Sequence, residues 1–204
     1  MSVVRKSPGA ATAFDPVARW RALAWALVAY LAVLAAVAAI VVFAIRYQPL
    51  SAANFASGPV AQSDTKMVRV GYANGGRFSF GFLIVNDGQL PVSIQRIQMT
   101  GRSRLLVPVR VETAANRYAG SLGEGDPSIG KFLPFTLAGG DRRWVVVRTR
   151  FGNCDRFTAG ALDTYSRFQV TYSVLGLTKQ AWVKLPKEIG VDSPPDSACP
   201  ARAT

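Results

Sequence analysis

Histidine is absent from this sequence of 204 residues. Without an imidazole, the chain lacks the Ser–His or Cys–His pair that activates a nucleophile in many hydrolases and transferases. Sulfur is scarce too, because the chain has two cysteines and three methionines, whereas copper and related metals prefer clustered Cys, His or Met ligands. We therefore expect no catalytic residue, no metal site and no cofactor.

Phosphate-binding motifs are missing as well. Two glycine-rich stretches, Asn74-Gly75-Gly76 and Gly123-Glu124-Gly125, lack the Lys-Ser/Thr and the following helix of a phosphate loop, so they are predicted to be turns. Acidic side chains in predicted turns leave a weak calcium alternative, although such residues usually bind nearby backbone N–H groups. These acids are Asp87, Glu124 and Asp126.

Acidic residues are half as frequent as basic ones, at 12 against 24, which gives a net charge of +12. From Tyr47 onward there are 19 basic and 11 acidic residues, or +8. A basic surface attracts nucleic acid, anionic lipid headgroups or acidic polymers. Which of these anionic partners the domain can meet depends on the cellular compartment in which this part of the chain lies.

One long stretch carries no charge at all. Residues Ala22 to Ile45 form an apolar run that would make a helix of ~36 Å, enough to cross a hydrocarbon core of ~30 Å. Trp25 and Tyr30 lie toward one end and Phe43 toward the other, as expected of membrane-anchoring aromatics. We predict a transmembrane helix over residues 21–46, preceded by a short basic tail over 1–20.

The flanks of this run predict its orientation. Basic residues precede it at Arg5, Lys6, Arg19 and Arg21, whereas only Arg46 follows it before Asp64. The positive-inside bias then keeps the N-terminus cytoplasmic and exports the rest as a single-pass signal-anchor protein. A cleaved signal peptide is the alternative, but its apolar region is usually ~7–15 residues long, so retention is favoured. Because the domain is expected outside the cytoplasm, nucleic acid is not an expected partner.

Alanines at Ala32, Ala36, Ala35 and Ala39 have the small-xxx-small spacing that permits close helix approach. This spacing arises easily in an alanine-rich helix. A homodimer through it is therefore a minor alternative to a single anchor in the bilayer.

Beyond the helix, residues 47–65 are small, polar and rich in turn formers, and they are predicted to be a linker. Residues 66–186 then alternate with a period of two, as in Phe78, Phe80, Phe82 and Ile84. Asn86-Asp87-Gly88 is a turn signal, and the stretch from Pro91 to Met99 is predicted to return as a hairpin strand. Pro134 marks the stretch from Lys131 to Leu137 as an edge strand. Residues 187–204 form a proline-rich tail.

The part of the chain after the transmembrane helix has about 7–8 predicted strands and no predicted helix. This pattern favours an all-β antiparallel sandwich. The stretch from Phe78 to Ile97, an aromatic-rich strand followed by Asn-Asp-Gly and Leu-Pro-Val-Ser-Ile, resembles strands B and C of bacterial immunoglobulin-like domains. The resemblance implies a fold and no activity.

The cysteines are Cys154, between two predicted strands, and Cys199, in the tail. An even cysteine count in an exported domain predicts a disulfide. This bond would close a loop of 46 residues and stabilise the fold by roughly 4 kcal/mol or less through chain entropy. Two free thiols are the alternative.

Arginines supply the main surface signal. If the strands that carry them are neighbours, they form one positive patch, for which an ordinary solvated face is the alternative. Its members would be Arg102, Arg104 and Arg110 on one strand and Arg142, Arg148 and Arg150 on another.

These patterns together predict a non-enzymatic, membrane-tethered binding or assembly module of the cell envelope that contacts another membrane or envelope protein. The second hypothesis is binding of anionic lipid or cell-wall polymer through the arginine patch. An envelope enzyme is the third and weakest.

Overall fold

The structure is a computed structural model that describes residues 16–58, 62–73, 75–99, 104–114, 122 and 126–194. The chain divides into two compact units, Met1–Tyr47 and Gln48–Thr204. The first contains a single described helix, and the second contains the strands. This division begins the β-unit one residue after Tyr47.

Helix α1 covers Pro16–Arg46. Its stretch Arg19–Arg46 is long and apolar enough to cross a membrane. The predicted anchoring aromatics are exposed on it, with Trp25 at 73%, Tyr30 at 62% and Phe43 at 51%. An uncovered apolar helix has the composition that lipid stabilises and water does not. One apolar N-terminal helix is thus present, as the sequence predicted.

The β-unit contains two sheets. The five-stranded sheet has the order β1 (Leu50–Ser57), β4 (Arg77–Asn86), β9 (Arg142–Phe151), β6 (Leu106–Ala114) and β7 (Ile129–Lys131). The six-stranded sheet has the order β2 (Gln62–Ser63), β3 (Met67–Gly71), β11 (Leu177–Asp192), β10 (Leu162–Val174), β5 (Val92–Met99) and β8 (Phe135–Leu137). Neighbouring strands are antiparallel, except that β3 and β11 are parallel.

The two sheets face each other through phenylalanines. Phe80 and Phe82 of β4 lie with their ring centroids 5.7 Å and 5.2 Å from that of Phe168 in β10. All three side chains are fully buried. The period-two pattern therefore places the even-numbered residues of β4 in the core, and the predicted all-β sandwich is confirmed.

The predicted linker is wrong over its central part. Residues 50–57 form β1, which pairs with β4 at the edge of the five-stranded sheet. Asn54 has φ 47° at a bulge in this strand, a conformation that asparagine tolerates better than most residues. The small, polar composition of this segment concealed a strand, because its only large apolar side chains are those of Leu50 and Phe55. The Phe55 ring stacks 6.1 Å from that of Phe80.

The predicted hairpin after Asn86 is also wrong, because β4 and β5 belong to different sheets. Asn86 is fully buried, and its Nδ2 donates to the carbonyls of Leu90, Leu137 and Ala138 at 2.8, 3.1 and 3.0 Å. The side chain thus fixes a crossing between sheets and not a tight turn. Crossing between sheets is what the implied B and C strands require.

The predicted strand from Lys131 to Leu137 is divided into β7 and β8, one at the edge of each sheet. Pro134 lies between them and cannot donate a ladder hydrogen bond. The last strand is longer than expected, since β11 continues to Asp192 and takes in part of the predicted tail.

Candidate anion-binding site

Three neighbouring strands of the five-stranded sheet bring arginines together on the face turned away from the core. In the register of β4 and β9, Arg77 lies opposite Arg150 and Ser79 lies opposite Arg148. In the register of β6 and β9, Arg110 also lies opposite Arg148. Because side chains alternate along a strand, all of these residues share the face opposite Phe78 and Phe80.

A bulge in β6 shapes this face. The register shifts between Pro108 and Arg110, so that Val109 is an extra residue with no partner on β9. Val109 is 57% exposed. Bulges of this kind bend a strand and redirect its side chains. Here the bulge turns Arg110 back to the outer face, beside Arg148.

Arg148 is the buried centre of the cluster. Its Nε donates to Glu112 Oε2 at 2.8 Å, and its Nη1 donates to Ser79 Oγ at 3.1 Å and to the carbonyl of Leu122. The other carboxylate oxygen of Glu112 pairs with Arg110 Nε at 2.8 Å. Glu112 therefore bridges a buried arginine and an exposed one, since the Arg148 side chain is 6% exposed and that of Arg110 is 53% exposed.

A cleft of about 300 Å³, which we call the arginine cleft, opens beside Arg148. Its lining residues are Gly75, Arg77, Ser79, Val109, Arg110, Arg148, Thr149 and Arg150. Arg77 and Arg150 are exposed at its rim. The lining thus combines several guanidinium groups with a serine hydroxyl, which are donors suited to carboxylate or phosphate oxygens.

An apolar cluster covers the other end of the same sheet face. Leu83, Ala114 and Trp144 are buried there against partly buried residues of β1, β4 and β7. A Cβ on Gly81 would lie 3.4 Å from Leu122 Cδ2 and 3.2 Å from the carbonyl oxygen of Val145. Glycine at this position lets Leu122 approach the sheet, and the Leu122 carbonyl in turn accepts from Arg148.

The predicted arginine patch is only partly assembled. Arg110, Arg148 and Arg150 lie together, because β6 and β9 are neighbours. Arg142 is exposed on the same face, but it lies six positions before Arg148 on β9, or about 20 Å away at ~3.3 Å per residue. Arg102 lies outside the described residues.

Arg104 has a different role. Its Nε donates to Asp163 Oδ1 at 2.7 Å, and Asp163 Oδ2 accepts from the Leu105 N–H at 3.0 Å and from the Tyr165 hydroxyl at 2.6 Å. The Tyr165 oxygen accepts from the Leu106 N–H at 2.7 Å. This network joins the two sheets.

Burial, together with the hydrogen bond to Asp163, raises the pKa of Tyr165 above its ordinary value. The phenol is 4% exposed, and the ionised form would sit beside the carboxylate of Asp163. The neutral phenol donates to that carboxylate, so the network depends on its proton.

Two charged residues of this cluster were missed by the sequence analysis. Arg77 directly precedes Phe78. Because side chains alternate along a strand and Phe78 faces the core, Arg77 lies on the outer face of β4. Its position beside Arg150 depends on the pairing of β4 with β9, a contact between strands far apart in the chain. Glu112 was missed because its partner Arg148 is on another strand.

The remaining sequence predictions concern cysteines and metals. Cys154 is 5% exposed, opens a short 3-10 helix over Cys154–Arg156 and is not a free thiol. Cys199 lies outside the described residues, so the bond between them stays a prediction. No His, Cys, Asp or Glu cluster able to hold a metal occurs in the described part of the chain.

The acids of the weak calcium alternative have different outcomes. Asp126 Oδ1 accepts from the N–H of Ser128 at 2.9 Å and from its hydroxyl at 2.6 Å, the usual role of a turn aspartate. Glu124 is not among the described residues.

No protein-family model matches the chain, and no curated protein matches it. Solved structures resemble it weakly. The Vibrio cholerae VesB protease shares 16% identity at a TM-score of 0.35, and the alignment covers 71% of this chain and 32% of that one. A protein of Corynebacterium diphtheriae described as membrane anchored shares 11% at 0.34, covering 77% and 39%. The PapD-like domain 7 of human CEP192 shares 9% at 0.32, covering 72% and 86%.

These likenesses include both enzymes and non-enzymes, and they assign no family. This chain spans about a third of the length of the VesB protease.

Proposed function

We propose that this chain is a non-enzymatic binding module, anchored by α1 in the cell membrane, that contacts an acidic surface of another envelope or membrane protein through the arginine cleft. The N-terminus is cytoplasmic in this proposal, and the β-unit lies outside the cytoplasm. The observation that carries the proposal is the register that sets Arg77 opposite Arg150 and Arg110 opposite Arg148.

Like charges directly opposite each other across two strands destabilise a sheet. Glu112 offsets part of this repulsion by pairing with Arg110 and Arg148. Arg77 and Arg150 both lie at the exposed rim. A carboxylate from a partner would add opposite charge between these two arginines on binding, so the cleft favours an anionic occupant.

The geometry suits recognition more than chemistry. The buried Arg148 is held by Ser79, Glu112 and the carbonyl of Leu122, so its guanidinium is fixed before a ligand arrives. Arginine forms two parallel hydrogen bonds to a carboxylate, which adds orientation to charge. A fixed centre with two exposed rim arginines gives both electrostatic steering and a defined docking direction.

The second candidate is an anionic lipid headgroup or an acidic wall polymer in the same cleft. The observation that favours it is the basic excess of this part of the chain, +8 from Tyr47 onward. Salt dependence alone does not separate the candidates, since each binds through charge. The chemical identity of the molecule captured at the cleft distinguishes the two candidates.

The direct test places a photocrosslinking residue at Val109, which lines the cleft, in full-length protein in its native membrane. The matched control carries it at Leu177, an exposed residue of the other sheet. The proposal expects one protein to be crosslinked from Val109 and not from Leu177, also when α1 is replaced by an unrelated membrane helix. Crosslinks to lipid or polysaccharide would support the second candidate instead. Absence of any cleft-specific product would contradict both.

Orientation is tested separately. A fusion reporter that works only in the cytoplasm, attached after Thr204, is expected to be silent. An active reporter would reverse the proposed topology.

A further inference from the structure

The outer face of the six-stranded sheet carries one exposed tryptophan. Trp182 on β11 is 53% exposed and pairs in register with Gln169 of β10. Within the described part of the β-unit, it is the only aromatic side chain exposed to this degree. Its neighbours in the ladder are polar, and Gln169 Nε2 donates to Gln180 Oε1 at 2.9 Å. A flat, rigid ring thus stands among hydrogen-bonding groups.

A cavity opens beside this ring because the ladder is interrupted. Tyr165 pairs with Ile189 and Arg167 pairs with Lys184, so that Ser166 alone on β10 faces the residues from Leu185 to Glu188 on β11. Pro186 lies within this bulge and has no N–H to offer the ladder. Large bulges of this kind redirect side chains and accompany binding sites.

The cavity has a volume of about 230 Å³ and is lined by Arg104, Thr164, Tyr165, Ser166, Arg167 and Trp182. This volume is below the ~300–1,000 Å³ of pockets for drug-sized ligands. It suits a single small ring. Trp182 supplies an aromatic surface to its lining, and the other lining residues supply hydroxyl and guanidinium groups.

Two arginines give this cavity its charge. Arg104 lies 4.5 Å above the Tyr165 ring and is already neutralised by Asp163 through Nε and Nη2. Its contacts with described residues leave Nη1 for a ligand. Arg167 is exposed and brings a second positive charge, which no described carboxylate of the lining balances.

We propose that this cavity binds one uronic-acid residue of an acidic glycan. The C–H face of the pyranose ring packs on the Trp182 indole, as amphipathic rings with polar edges pack on aromatic surfaces. Arg167 donates to the sugar carboxylate, and the ring hydroxyls meet Ser166 and Nη1 of Arg104. The site lies on the opposite sheet from the arginine cleft and does not depend on it.

The chemistry of the lining selects this occupant. An acidic peptide would use Arg167 but gain little from a broad indole face, whereas a neutral sugar would use the indole but not the charge. A uronic acid uses both. A bilayer surface also suits an exposed tryptophan beside basic residues, and the experiment includes it as an opposing outcome.

The test measures binding to full-length protein in detergent by calorimetry and by the change in tryptophan emission that the Trp182→Ala variant lacks, because the chain has four tryptophans. The probes are trigalacturonic acid, the matching neutral galactotriose and triglutamate. The proposal expects the acidic sugar to bind about tenfold more tightly than the neutral one, the value of one added charged contact of about 1.4 kcal/mol. Triglutamate is expected not to bind at this site.

Variants assign the contacts. Trp182→Ala is expected to abolish binding of both sugars, Trp182→Phe to retain part of it, and Arg167→Gln to remove the preference for the acid. Arg96→Gln removes an arginine from the same sheet face outside the cavity and is expected to change nothing. Unchanged far-ultraviolet circular dichroism shows that each variant is folded.

Several results would overturn the proposal. They are binding of neither sugar by the unmodified chain, equal binding of triglutamate with the same dependence on Trp182, or sugar affinity unaffected by Trp182→Ala. On sugar-free anionic vesicles, a blue shift of tryptophan emission that Trp182→Ala lacks and that trigalacturonic acid does not reverse would assign the face to the membrane. Loss of the arginine cleft by Arg77→Gln and Arg150→Gln leaves sugar binding unchanged if the two sites are separate.

Discussion

Arg77 and Arg150 lie directly opposite each other on the neighbouring antiparallel strands β4 and β9, at the rim of the arginine cleft. Side chains in such a position have Cβ atoms about 4.5–5.5 Å apart. Two positively charged residues therefore lie side by side at the exposed rim. Like charges in opposite positions of a sheet destabilise it, and an anion bound between them would offset this cost.

We predict that Arg150→Gln stabilises the β-unit by a few tenths to about 1 kcal/mol, because it removes the repulsion from Arg77. Urea denaturation at low salt measures the free energy of unfolding without adding ions. Arg142→Gln is the matched control, since it removes a charge from the same face outside the cleft. A loss of stability in Arg150→Gln alone would show that Arg150 has a structural role instead.

Glu112 and Arg148 are expected to show strong energetic coupling. Glu112→Gln leaves the buried Arg148 without its carboxylate, which costs about 3–5 kcal/mol for a fully buried pair and less where other partners remain, as Ser79 does here. The double variant Glu112→Gln, Arg148→Met is expected to be destabilised by less than the sum of the single variants. Strict additivity in the same denaturation experiment would mean that the ion pair does not hold the cleft together.

We predict that the stability of the β-unit depends on pH in the alkaline range because of Tyr165. Its pKa in the folded chain is raised above the ordinary value of 10.0 by burial. The stability that its proton contributes is thus complete below pH 10 and is lost as pH rises toward the folded pKa, because the unfolded phenol ionises first. The loss is about 1.4 kcal/mol per pH unit at most.

The measurement compares the chain with Tyr165→Phe at pH 9 and pH 11. At the lower pH the variant is expected to be less stable, since it leaves the Leu106 N–H without the Tyr165 oxygen. At the higher pH the difference is expected to shrink by about 1 kcal/mol, because phenylalanine does not titrate. A difference that stays constant or grows would contradict the raised pKa.

The predicted Cys154–Cys199 bond is tested by thiol counting. Protein exported and unfolded without reductant is expected to take up no alkylating reagent, and to take up two equivalents after reduction. Cys199→Ser is then expected to expose Cys154 to labelling on unfolding and to lower the free energy of unfolding by up to roughly 4 kcal/mol. Full labelling without reductant would show two free thiols.

The strands with regular alternation could be predicted from the sequence. The alternation of Phe78, Phe80, Phe82 and Ile84 predicted the core face of β4, and all four side chains are buried. Strand β1 could not be predicted, because its alanines and serines show no hydrophobic alternation. Its place in the sheet is set by pairing with β4. Local patterns do not reveal long-range pairing.

The same limit explains the site. The spacing of Arg148 and Arg150 places both on the same face of β9. Whether each is buried or exposed depends on the residues of the neighbouring strands and loops. Glu112 and the Leu122 carbonyl bury Arg148, while Arg150 remains at the rim. Sequence alternation thus identified the sheet face and not the cleft.

The most direct measurement is crosslinking from Val109 in native membranes, with and without Arg77→Gln and Arg150→Gln. A membrane-tethered binding module that uses this cleft predicts one protein product from Val109, lost in the double variant and retained in the Arg142→Gln control. The same protein product at equal yield in the double variant, or no product from the unmodified chain, would contradict it.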